Sequence, residues 1–181
     1  MNKFSQVGHI RGIEVNFHWS VFVICAFLLL TSFRKPAEAL ALILAYLALL
    51  LVHESGHLMV AEWRGSQPLS IEIYPIYGLA HFTTPNSRFD HSLIAWGGVA
   101  AQLVVALPFL AWVALFGYTQ YEAINRVLVI LGYFSIAMAI FNLLPIPPLD
   151  GATAWQLIPA SYERFQRRYR NRRSEPPWMR P

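Results

Sequence analysis

Four stretches of nearly uninterrupted apolar residues dominate the chain, and clusters of polar residues separate them. A helix needs about 20 apolar residues to cross a hydrocarbon core about 30 Å thick. The pattern therefore predicts four membrane-spanning helices, over residues 19–33, 37–59, 93–116 and 124–144. The first is short, so the polar side chains of Asn16 and His18 would lie at its membrane interface.

Between the second and third stretches the pattern changes to the alternation typical of strands. Leu69, Ile71 and Ile73 alternate with polar residues, a turn signal follows over residues 75–78, and residues 79–84 are β-prone again. This pattern predicts a β-hairpin. The predicted fold is an all-α polytopic membrane protein of about four transmembrane helices, with a small membrane-associated β-hairpin and a broken Pro-rich segment.

Composition supports a membrane protein. Apolar residues make up 56% of the 181 positions, charged residues make up 13%, and the mean hydropathy is +0.41. Soluble globular domains are about 45–50% apolar and about 25% charged, so an ordinary water-soluble domain fits poorly. Cys25 is the single cysteine, which excludes an intrachain disulfide. The length fits one domain, and we expect a membrane-embedded core over residues 1–163 and a basic tail over residues 164–181.

The basic residues are unevenly distributed. Residues 1–163 carry 7 Lys/Arg and 9 Asp/Glu, a net charge of −2, whereas residues 164–181 carry 7 Arg and one Glu, a net charge of +6. The tail arginines are Arg164, Arg167, Arg168, Arg170, Arg172, Arg173 and Arg180. The positive-inside rule and attraction to anionic lipid explain this tail better than nucleic-acid binding does. We therefore expect an integral protein of a prokaryotic inner or plasma membrane, with both termini cytoplasmic, the lipid bilayer as a partner and no nucleic acid.

His53, Glu54 and His57 form an H-E-x-x-H motif near the end of the second predicted span. Residues four apart project from one face of a helix, so the two imidazoles can bind one Zn²⁺, with Glu54 beside them to take a proton from water. Catalytic zinc takes three protein ligands, so one must come from elsewhere. Ionisable side chains are costly inside a membrane helix, which favours function. A structural metal and a metal-free polar cluster are the alternatives.

The fourth predicted span closes on a Pro-rich run over residues 142–151. Three prolines within residues 145–148 exclude a regular helix. Broken backbone at membrane depth is tolerated where protein buries it or where it lines a wet cavity. By itself the run is a plausible turn. Beside a zinc motif, its Asp150 becomes the best candidate for the third ligand of a His₂Asp site.

Together the two motifs resemble the site-2 protease family of intramembrane zinc metalloproteases, in a minimal core with no PDZ-like or CBS-like region. The resemblance covers roughly residues 10–160. It implies that His53, His57 and Asp150 bind one Zn²⁺ per chain and that Glu54 is the general base. It also implies hydrolysis of a peptide bond within or next to a transmembrane segment of a membrane protein substrate, in regulated intramembrane proteolysis.

Other positions match the family less closely. Asn142 occupies a position that the resemblance associates with substrate binding, and Tyr77 and Gly78 stand where the family's hairpin often carries Gly-Gly. The resemblance therefore implies substrate binding for these three residues. In the third span the family commonly has Gly-Pro followed by Asn, whereas this chain has Gly98-Val99 and Gln102.

Small residues in the third predicted span indicate a close contact with another helix. Gly97, Gly98, Ala100 and Ala101 would let another helix approach closely. Of the remaining histidines, His18 fits an interfacial anchor, and His9 and His91 fit solvated positions. His81 lies in the predicted hairpin, where a position that faces the active-site cavity and a position outside it are both open.

Two other functions stay open. A catalytically silent, zinc-containing membrane binding protein would be expected to lack Glu54. A small transporter would predict inverted repeats, which the sequence does not show. No feature of the sequence indicates an oligomeric state.

Overall fold

The computed structural model describes residues 4–10 and 12–174. The remainder of the predicted tail, residues 175–181, lies outside the described residues and includes Arg180. The strands are β1 (Phe4–Ile10), β2 (Ile13–His18), β3 (Pro68–Ile73) and β4 (Gly78–Phe82). The helices are α1 (Trp19–Thr31), α2 (Pro36–Trp63), α3 (Arg88–Phe116), α4 (Glu122–Leu128), α5 (Ser135–Asn142), α6 (Gly151–Ala154) and α7 (Leu157–Ser174).

Within residues 4–10 and 12–174, three helical stretches are long and apolar enough to cross a membrane. They are α2, α3 and the stretch Glu122–Asn142, in which a π-helical turn (Val129–Phe134) joins α4 to α5. The prediction of a mostly helical membrane protein is thus confirmed. Helix α1 has 13 residues, which rise about 20 Å at about 1.5 Å per residue, less than the thickness of a hydrocarbon core. The fourth span therefore stays a prediction.

The predicted hairpin is present and belongs to a larger sheet. Strands β3 and β4 pair antiparallel, and the strand order is β1-β2-β3-β4. Strand β2 runs parallel to β3, with Val15 opposite Ile71 and Phe17 opposite Ile73. These four side chains are buried against α2, in one cluster with Leu49, Leu50 and Leu58. The sequence did not predict β1 and β2, because parallel pairing with β3 joins segments more than 50 residues apart and local periodicity carries no signal of it.

Helices α2 and α3 approach closely through glycine. A Cβ atom on Gly56 would lie 2.6 Å from the Ala101 Cβ and 2.9 Å from the Gly97 carbonyl carbon. Only glycine permits this backbone approach, which agrees with the close helix contact expected at Gly97. The crossing places the H-E-x-x-H face of α2 directly against α3.

Candidate metal centre

Helix α2 presents two imidazoles on the face that packs against α3. The Nε2 atoms of His53 and His57 lie 3.1 Å apart, and both residues are buried. His57 Nδ1 lies 2.8 Å from the carbonyl oxygen of Ile94 on α3. A neutral ring there donates its Nδ1–H to that carbonyl, so its Nε2 lone pair points toward His53. Metal-ligating histidines are oriented by the same kind of backbone hydrogen bond.

Asp150 reaches the two histidines from the broken segment after α5. Its Oδ2 atom lies 2.9 Å from His53 Nε2 and 3.3 Å from His57 Nε2. Burial would raise the pKa of this carboxyl, but hydrogen bonds and positive charge from His53 and His57, when those rings are protonated, lower it below its ordinary value. Asp150 is therefore a carboxylate at neutral pH.

The chain folds back on itself to place Asp150 there. A Cβ atom on Gly151 would collide with the carbonyl oxygens of Leu143 and Leu144, so this position requires glycine. The Trp155 indole N–H donates to the same Leu143 oxygen at 2.7 Å. The end of α5 is thus held against Gly151 at the start of α6 and against Trp155 just after its end, and Asp150 lies within the loop that these contacts close.

The three donor atoms fit a zinc ion. His53, His57 and Asp150 form a group whose ligand atoms all lie within 4.8 Å of one another. The closest approaches are 2.9–3.3 Å, and zinc bonds of about 2.0–2.2 Å in a tetrahedral site separate neighbouring ligands by roughly 3.3 Å. Two nitrogens and a carboxylate oxygen are also a donor set that zinc accepts. The lone pairs that converge here would repel one another unless a cation or a proton lay between them.

Glu54 lies between the histidines in sequence and faces β4. Its side chain is buried, and the backbone N–H of Ala80 is directed toward its carboxyl group. A Cβ atom on Gly78 would lie 2.6 Å from Glu54 Oε1. The strand thus packs its backbone against this carboxyl group, and the absence of a side chain at Gly78 leaves room for it.

One cavity of about 610 Å³ contains the whole group. The structure brings all seven site residues predicted from the sequence to its wall: His53, Glu54, His57, Tyr77, Gly78, Asn142 and Asp150. Tyr77 stands at the turn between β3 and β4, stacked on Tyr74 with ring centroids 4.7 Å apart. The edge strand β4 forms one side of the cavity through Gly78, Leu79 and Ala80.

Three polar residues of the cavity were missed as site residues from the sequence: Gln102, His91 and Thr153. Gln102 on α3 is fully buried, and neither of its amide atoms has a hydrogen-bond partner among the described residues. An amide within an apolar span is itself the signal that could have found it. His91, expected in solvent, is exposed at the start of α3 but lines the cavity.

His81 points away from this cavity. Its neighbours Ala80 and Phe82 line the cavity wall. The imidazole Nε2 of His81 instead lies 3.5 Å from Glu72 Oε1 on the adjacent strand. This side chain therefore contributes to the sheet and not to the metal centre.

Gly98 of α3 lies directly over the imidazoles. A Cβ atom there would be 2.5 Å from His57 Nε2 and 2.7 Å from His53 Cε1. The small residue expected to admit a neighbouring helix thus makes room for the two donor rings, while Gly97 beside it makes room for the helix backbone. Adjacent glycines serve two different contacts.

The chain matches known proteins in sequence. Residues 105–180 match peptidase family M50. The chain is 32% identical over 169 residues to Rip3 of Mycobacterium tuberculosis, named as a zinc metalloprotease, with 83% of this chain and 42% of that protein covered. It is 29% identical over 172 residues to sll0528 of Synechocystis, also named as a zinc metalloprotease, with 87% and 45% covered. The chain spans less than half the length of these relatives.

The fold also has a solved counterpart. It is similar to the site-2 protease from Methanocaldococcus jannaschii with a TM-score of 0.69, over 87% of this chain and 72% of that one. The two sequences are 20% identical in this comparison. The likeness therefore establishes the arrangement of helices and strands.

Proposed function

We propose that the chain belongs to peptidase family M50, the family of the site-2 proteases, and that it is an intramembrane zinc endopeptidase. It would hydrolyse a peptide bond within or next to a transmembrane segment of a membrane protein, as a step in regulated intramembrane proteolysis. The observation that carries the proposal is the convergence of His53, His57 and Asp150, with Glu54 beside them, in one cavity between apolar helices.

In this proposal His53, His57 and Asp150 hold one Zn²⁺. When bound, the ion would supply Lewis-acid polarisation of a scissile carbonyl and of a water molecule. Glu54 takes a proton from the attacking water and delivers it to the leaving amine as general base and then general acid. The His57 hydrogen bond to Ile94 and the loop closed by Trp155 keep two of the three donors oriented.

The substrate segment would bind along β4. Helical backbone hides its carbonyl groups in hydrogen bonds, so a transmembrane substrate must become extended before hydrolysis. An extended peptide can add to an exposed sheet edge by main-chain hydrogen bonds, and β4 is both an edge strand and a wall of the cavity. We assign substrate contacts to Tyr77 and Gly78 at the start of this edge and to Asn142, which also lines the cavity.

We further propose that α1 also crosses the membrane, which gives four spans in all, and that both termini lie in the cytoplasm. Residues 1–163 would form the membrane core and residues 164–181 the cytoplasmic tail. This orientation places 11 of the 14 basic residues inside and follows the positive-inside rule. A cysteine introduced at Glu163 should react with an impermeant thiol reagent in inverted vesicles and not in right-side-out vesicles, and the reverse pattern would contradict this topology.

The proposed function is tested by reversible metal removal. Purified chain in nanodiscs should cleave a model transmembrane substrate, lose the activity with a zinc chelator, and regain it with one equivalent of Zn²⁺. A catalytically silent binding protein would instead retain zinc and capture substrate without cleaving it. Absence of cleavage across a broad substrate panel, with one zinc bound per chain, would favour that second function.

The close contact between Gly78 and Glu54 leads to a separate prediction for the Gly78→Ala variant. Gly78→Ala should place a methyl group against Glu54 and displace its carboxyl group, because the new Cβ would lie 2.6 Å from Oε1. Misplacing a catalytic group by about 1 Å costs on the order of 10²-fold in rate. We expect kcat to fall by roughly that factor with zinc content unchanged, as measured by steady-state cleavage and metal analysis.

Gly8→Ala is the matched control for this prediction. Gly8 lies in the same sheet, and a Cβ there would meet nothing within 4 Å. The Gly8→Ala variant should therefore cleave the substrate as fast as the wild type. Equal kcat values for the two alanine variants would show that β4 does not position Glu54.

A further inference from the structure

Helix α7 carries an exposed apolar stripe. Ile158, Tyr162 and Phe165 follow one another at spacings of four and three residues. At about 100° per residue this spacing places them within roughly 60° of one face. Their exposed fractions are 69%, 63% and 67%. A row of large apolar side chains left open on one helix face marks an interaction surface.

The rest of the helix is strongly basic. Residues 157–174 contain six arginines and one Glu, which gives a net charge of +5. Arg164 and Arg167 lie on the side opposite the stripe by helical spacing. A basic helix with an aromatic stripe and low overall hydrophobicity is typical of helices that lie in a membrane interface.

The position of α7 agrees with such a surface. The helix follows the Asp150 loop after the four residues of α6 and a short turn. The Arg164 guanidinium lies 4.7 Å from the centre of the Phe89 ring at the start of α3. The start of α3 is polar, with Arg64 donating to Asp90 at 2.6 Å. Such charged groups mark the end of a span, where the bilayer meets water.

We infer that α7 is an interfacial helix that inserts its apolar stripe into the surface of a bilayer containing anionic lipids. The stripe would enter the boundary between headgroups and acyl chains, while the exposed Arg167 and Arg170 contact lipid phosphates. A second copy of the helix fits less well, because two segments of charge +5 would repel each other. The inference does not depend on proteolytic activity.

The inference is tested with the full chain in nanodiscs. In a Cys25→Ala background, spin labels are placed singly at Phe165→Cys on the stripe and at Glu163→Cys outside it. Collision with oxygen, which concentrates in lipid, is compared with collision with a water-soluble nickel chelate. In discs with 30% phosphatidylglycerol we expect the Phe165 label to favour oxygen and the Glu163 label to favour nickel. Equal, water-like exposure of both labels would overturn the inference.

Two further measurements test how much the arginines and the anionic lipid each contribute to membrane binding by α7. Arg167→Gln should lower the ratio of docked to undocked helix about fivefold, since each basic residue near an anionic surface contributes about that factor. Docking should also weaken in discs of phosphatidylcholine alone, and undiminished docking there would contradict the role of anionic lipid. Shielding of the Phe165 label from both reagents, with dipolar broadening between labels, would show that a second copy covers the stripe and would also overturn the inference.

Discussion

Glu54→Gln is expected to lower the cleavage rate by about 10²–10⁴-fold, the usual contribution of a general acid–base residue, while zinc remains bound. The amide has nearly the same shape as the carboxyl group and cannot take a proton from water. Glu54 is not one of the three converging donors, so the metal site should be unaffected. The measurement is cleavage of a model transmembrane substrate at saturating concentration, with metal content determined on the same sample.

Glu62→Gln supplies the control for this variant. Glu62 is an exposed residue two helical turns further along α2, and the chemical change is identical. It should leave both cleavage and zinc binding at wild-type levels. If Glu54→Gln cleaved as fast as Glu62→Gln, Glu54 would not be the base, and if it lost its zinc, Glu54 would belong to the ligand set.

Gly98→Ala should weaken zinc binding by roughly 10–100-fold, the range observed when the surroundings of metal ligands are disturbed. The added methyl group would lie 2.5 Å from His57 Nε2 and 2.7 Å from His53 Cε1. Helix α3 has little room to withdraw, because its backbone already touches α2 at Gly56 and Gly97. The two rings must therefore rotate, and their lone pairs no longer meet at one point. Cleavage should fall together with zinc occupancy.

Gly132→Ala is the corresponding control. Gly132 also lies in an apolar span, but its added Cβ would meet the flexible end of Leu110 at 3.3 Å and no metal ligand. Zinc affinity is measured by competition with a chromophoric chelator, and thermal unfolding of both variants checks that the chain is folded. Wild-type zinc affinity in a folded Gly98→Ala protein would show that the imidazoles do not occupy the position described.

The local sequence was sufficient to predict those helices and strands whose hydrophobic pattern repeats within one segment of the chain. Apolar length predicted the helices that contain His53 and Gln102, and alternation predicted the hairpin that contains Gly78. Strands β1 and β2 were not predicted, because Val15 and Phe17 are held by pairing with Ile71 and Ile73, which are more than 50 residues away. Helix α1 was predicted as a span from its composition, yet its 13 residues are shorter than the criterion requires.

The sequence by itself determined which side chains were candidates for the chemistry. Helical spacing brings His53 and His57 to one face, and ionisable groups in an apolar span are too costly to be incidental. Tertiary structure decided what surrounds them. Asp150 meets the histidines only because Gly151 and Trp155 fold the Pro-rich run back, and Gly98 matters only because α3 crosses α2 at that point. Such contacts join distant segments in three dimensions, and no periodicity along the chain encodes their distances.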